Sequence, residues 1–109
     1  MKFYTENEDG TVTVHEADDL VSCERHNVGP RYVATTNVGE YRVSTIFLAL
    51  DHSFGGKGPP ILYETMVFCL VADDWNDLYV CRYATREEAT KDHDRVVEAL
   101  RAGTEPEDL

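Results

Sequence analysis

The chain has 109 residues, 42% hydrophobic and 28% charged, which is room for one domain built on one core. A formal net charge of −11 sets its long-range field against phosphate backbones, so direct nucleic-acid binding is not expected. No apolar run reaches the roughly 18 residues a membrane-spanning helix needs. The opening Met1-Lys2-Phe3-Tyr4 runs straight into acids instead of the apolar stretch of a signal peptide, so the expected location is the cytoplasm.

The charge is unevenly spread. Residues 1–24 carry a net −6, residues 25–66 a net +1, residues 67–84 a net −2 and residues 85–109 a net −4. Acidity concentrates at the two ends, which does not suit uniform imitation of a nucleic acid. The three cysteines, Cys23, Cys69 and Cys81, cannot all pair and show no zinc-ligand spacing. Cys69 and Cys81 sit in apolar runs, where a thiol behaves as a small hydrophobe.

Taken in chain order, Lys2–Thr5 and Thr11–Glu16 flank Asn7-Glu8-Asp9-Gly10, and Asp-Gly predicts a hairpin. Asp18 to His26 has weak helical spacing through Leu20, Val21 and Cys23, and Val28-Gly29-Pro30 ends it. Arg31–Val38 and Tyr41–Leu50 are rich in β-branched and aromatic residues, with Gly39-Glu40 as a two-residue loop between them. Both alternating sets of the second strand turn apolar towards Leu50, which predicts a central strand covered on both faces at that end. Asp51 to Pro60 is a Gly-Pro loop, Ile61–Val71 and Leu78–Ala84 are further strands, and Asp73–Asp77 is an acidic turn around Trp75.

Thr85 with Glu88 three residues on is a capping box, and Ala89, His93, Val96, Val97 and Leu100 fall on one helical stripe. Arg101 suits the last turn of that helix and Gly103 the position just beyond it. The fold expected is therefore α+β: an antiparallel β-sheet of about four to six strands packed against one C-terminal amphipathic helix. It is a single domain over residues 1–103, followed by an acidic tail, 104–109, expected to be disordered.

Four groups of residues could carry chemistry. Asp51-His52 places a carboxylate beside an imidazole at a strand end, as a general base or metal site would need, although Asp51 capping a turn is the simpler reading. Glu64 has Leu62, Met66 and Phe68 as same-face neighbours, so it is either buried with a partner, Arg82 by preference, or placed where a ligand approaches. His93 lies on the apolar helical stripe, where a satisfied core histidine is the favoured reading. Asp51, His52, Glu64 and His93 would form a metal set only if the fold gathered them. Phe54-Gly55-Gly56-Lys57-Gly58 offers backbone amides and one ammonium to an anion, but it lacks the Walker pattern.

The runs Ser44-Thr45-Ile46-Phe47-Leu48-Ala49-Leu50-Asp51-His52, Phe54-Gly55, Gly58-Pro59-Pro60, Ile61-Leu62-Tyr63-Glu64-Thr65-Met66-Val67-Phe68, and Arg82-Tyr83-Ala84-Thr85 to His93 form a further pattern. Together they resemble a family of small uncharacterised proteins of tailed phages and prophages, mainly actinobacterial. Cys69-Leu70 and Asp92 depart from the glycines usual there. The resemblance implies a phage-encoded accessory protein and carries no particular chemistry with it.

The function expected is a non-enzymatic binding module that engages a host protein, with an anti-defence role as a candidate. The alternative is a binder or sponge for a small, nucleotide-like anion, using Arg42, Lys57 and Arg82. A metal-dependent hydrolase and a virion component are further alternatives. Ligand-binding candidates are Asp51, His52, Phe54, Lys57, Glu64, Arg82 and Arg42. No cofactor is expected, and oligomeric state is left open.

Overall fold

The structure is a computed structural model that describes residues 2–16, 31–50, 58–71 and 77–109. Its first element is an antiparallel hairpin of β1 (Lys2–Glu6) and β2 (Val12–Glu16), registered from Lys2 opposite Glu16 to Glu6 opposite Val12. The turn closes because Asp9 accepts hydrogen bonds from the Thr11 amide (3.0 Å) and hydroxyl (2.6 Å), while Gly10 adopts φ 86°. The weak helical spacing over Asp18 to His26 lies outside the described residues.

A four-stranded antiparallel meander follows, β3 (Arg31–Val38), β4 (Tyr41–Phe47), β5 (Tyr63–Cys69) and β6 (Asp77–Tyr83), paired in that order. β4 is central, but it ends three residues before the expected Leu50. Ala49 turns its carbonyl to the Tyr4 amide (2.8 Å) and Leu48 donates to the Leu62 carbonyl (2.6 Å), so these residues join the hairpin to the sheet. Leu48 and Ala49 are buried, whereas Leu50 is 37% exposed, so cover on both faces stops one residue short of the expectation.

The helix α1 (Arg86–Arg101) forms as its caps dictate. Thr85 accepts the Glu88 amide at 3.2 Å. At the other end Gly103, at φ 93°, donates to the Leu100 carbonyl and Thr104 donates to that of Ala99, a Schellman closure. The stripe Ala89, His93, Val96, Val97 and Leu100 is buried against one face of the sheet. One core cluster joins Val43, Val67, Val96, Val97 and Leu100; a second joins Phe47, Leu62, Tyr63, Tyr83 and Ala89.

The tail does not run free as its composition suggests. After Gly103 the chain turns back, Pro106–Asp108 forms a short 3-10 turn, Pro106 is buried, and Leu109 packs on the valine cluster. The physical reason is tertiary: two apolar residues among the acids find an uncovered end of the core.

Candidate functional site

Alternation along the strands sorts the polar residues between two faces of the sheet. On the helix side, His93 is 3% exposed and both ring nitrogens are engaged: Nδ1 with the Thr45 hydroxyl at 2.7 Å, Nε2 with the Thr36 hydroxyl at 2.9 Å. Thr45 bonds onward to Thr65 at 2.6 Å. Burial holds the His93 ring below the ordinary imidazole range, with Asp94 acting the other way. It is a satisfied core histidine.

Beside it, Asp92 accepts from the Tyr79 hydroxyl (2.8 Å), from the Tyr83 hydroxyl and from Arg95 Nε (2.6 Å). Burial works against the Asp92 charge, but the three donors outweigh it and keep the carboxyl below the usual range. Burial and then the Asp92 contact push the Tyr79 phenol up to about 12, and Tyr83 rises for the same reasons. This group ties β6 to α1.

A second polar clasp holds the hairpin. Tyr63 Oη donates to Glu6 Oε2 at 2.6 Å, and Arg86 donates to Glu6 Oε1 at 2.5 Å. One carboxylate on β1 thus gathers β5 and the first turn of α1.

The opposite face of the sheet has no helix on it among the described residues. Cross-strand rows run Tyr32–Ile46–Glu64–Arg82, then Thr35–Ser44–Met66–Val80, then Asn37–Arg42–Phe68. Tyr32, Ser44, Ile46, Met66 and Phe68 line a shallow hollow of about 190 Å³. Tyr32 is 76% exposed. At one end Glu64, largely buried, is paired with half-exposed Arg82 at 2.8 Å. At the other end Arg42 donates from Nε to Asn37 Oδ1 at 3.1 Å, and among the described residues it has no carboxylate partner. The surface combines aromatic, Met and Arg side chains, the composition enriched at protein interfaces.

Three of the sequence candidates, Arg42, Glu64 and Arg82, therefore share this face, and the favoured Glu64–Arg82 pair forms. Asp51, His52, Phe54 and Lys57 lie outside the described residues. Glu64 and His93 stand on opposite faces of the sheet, because Thr65, the neighbour of Glu64, belongs to the helix side with His93. They cannot share a metal ion, and among the described residues no group of three or more His, Cys, Asp or Glu could hold one.

Tyr32 was not marked by the sequence, since one aromatic in a strand gives no sign of which face is left open. The Tyr79–Tyr83–Asp92–Arg95 group had a signal: two strand tyrosines of one parity, and an aspartate and arginine three apart on one helix. No protein-family model matches the chain, and no curated protein or solved structure matches it either.

Proposed function

We propose that this chain is a phage-encoded accessory protein of the host cytoplasm, a non-enzymatic binding module that engages a host protein through the face of its sheet opposite α1. The observation that carries this reading is the hollow formed by Tyr32, Ile46, Met66 and Phe68 with Ser44 between the Arg42 and Glu64–Arg82 positions. An apolar centre with a polar rim is the anatomy of a contact surface. The phage origin rests on the resemblance of the stretch from Arg31 to His93, carried by the runs quoted above, and interference with host defence is one activity such an accessory protein could have.

The small-anion alternative is less well supported by the geometry. The backbones of Arg42 and Arg82 lie two strands apart and four residues apart along the sheet, about 16 Å in all, so they flank the hollow instead of converging in it.

The test is affinity capture from host cells with wild-type protein and with Ile46→Glu and Tyr32→Ala variants shown by circular dichroism to be folded. The expected result is one host protein held by the wild type and lost from both variants. The same host protein held equally by the variants moves the contact to another surface. A co-purifying small anion or stoichiometric metal in native mass spectrometry of the wild type replaces the reading altogether.

A further inference from the structure

The four-stranded sheet has two edges, β3 and β6, and they differ in chemistry. β6 carries Asp77 and Arg82, and the C-terminal 3-10 turn packs against it. β3 opens on Arg31, and from Tyr32 to Val38 it reads Tyr-Val-Ala-Thr-Thr-Asn-Val, with no further charged residue and no proline, in a protein that is 28% charged. Its one irregularity is the register shift between Tyr32 and Ala34; from Ala34 to Val38 the pairing with β4 is regular. Among the described residues no strand lies on its outer side. The outward amides and carbonyls of a regular edge need a partner strand or water, and natural sheets guard such edges with charge, proline or bulges. Five regular residues of β3 have none of these guards.

We infer that β3 is a pairing strand for a second copy of this chain, two β3 edges meeting antiparallel about a two-fold axis to join two four-stranded sheets into one of eight. Charge selects the place. Two bodies of net charge −11 repel, and an uncharged edge lets them approach without opposing like charges across the strands. Self-pairing also suits the sequence. A register centred on Thr36 sets Thr36 opposite its own copy, Ala34 opposite Val38, and Thr35 opposite Asn37. Helix-side residues then face helix-side residues, and the hydroxyl of Thr35 meets the amide of Asn37. The two-fold operation closes the assembly at two copies.

The experiment is sedimentation equilibrium of the full chain over a wide concentration range at low and high sodium chloride. Wild-type protein is expected to reach the two-chain mass, and to do so at lower concentration in high salt, because salt screens the mutual repulsion. Thr35→Lys, folded by circular dichroism, is expected to weaken the dimer by about tenfold. Leu78→Lys, on the other edge strand, is expected to leave it unchanged. A single-chain mass throughout overturns the inference, and protected β3 amides in that monomer would assign the edge to residues 17–30 of the same chain. A Thr35→Lys dimer as tight as wild type also overturns it, since assembly would then use another surface.

Discussion

His93 is held neutral by its surroundings, and this gives the protein a pH dependence of known sign. Its folded-state proton affinity is lowered by burial, whereas in the unfolded chain it returns to the ordinary value of 6.5. The contribution of the neutral ring is fully present above that value and is lost as pH falls below it, by at most about 1.4 kcal/mol per pH unit for one proton. Melting temperatures of wild type and His93→Gln between about pH 7.5 and 5 test this, since imidazole titrates in that window. The wild type should fall more steeply, and parallel curves would show that the ring does not titrate across it. On the other face, Arg82→Ala leaves the Glu64 carboxylate largely buried without its partner. With Arg82 itself half exposed, the expected loss is about 1–3 kcal/mol in urea denaturation. Glu64→Met/Arg82→Met should recover most of it, because no uncompensated charge remains. Both residues were singled out by the sequence as a polar group on an apolar face, His93 on the helical stripe and Glu64 along a strand. Only the fold shows that His93 lies between helix and sheet and that Glu64 lies on the sheet face opposite the helix.

At the scale of elements, local chemistry determined what was legible. Asp9-Gly10 made a turn, Thr85 and Glu88 opened the helix, and Gly103 closed it, each through bonds spanning only a few residues. Thr85→Ala should therefore cost about 1 kcal/mol, read as a shift in the denaturation midpoint. The end of β4 and the path of the tail were not legible, because both depend on partners distant in sequence: Tyr4 for Ala49, and the valine cluster for Leu109. Deleting residues 105–109 uncovers that cluster, and the expected loss is about 1–2 kcal/mol for the apolar contact removed. A truncated chain as stable as the full one would show that the tail only rests on the core.

For the molecule as a whole, the sequence carried the class of fold, because alternating strands and one amphipathic stripe leave few ways to bury both. It did not carry which sheet face α1 covers, since Tyr32, Ile46, Met66 and Phe68 are as apolar as residues of the core. The clasp of Glu6 with Tyr63 and Arg86 was also beyond it, being contacts between residues 57 and 80 positions apart. An isolated two-stranded hairpin is marginal in water. Glu6→Gln should therefore speed amide hydrogen exchange in β1 and β2 while β3–β6 keep their protection. The same clasp has a consequence for synthesis. Chains begin to fold as they emerge from the ribosome, N-terminal parts first. Here the β1 carboxylate waits for a tyrosine at position 63 and an arginine at position 86 before either of its bonds can form. The hairpin, made before both of those residues, is fastened only after them, and until then its strands lack the clasp that holds them to the sheet and helix.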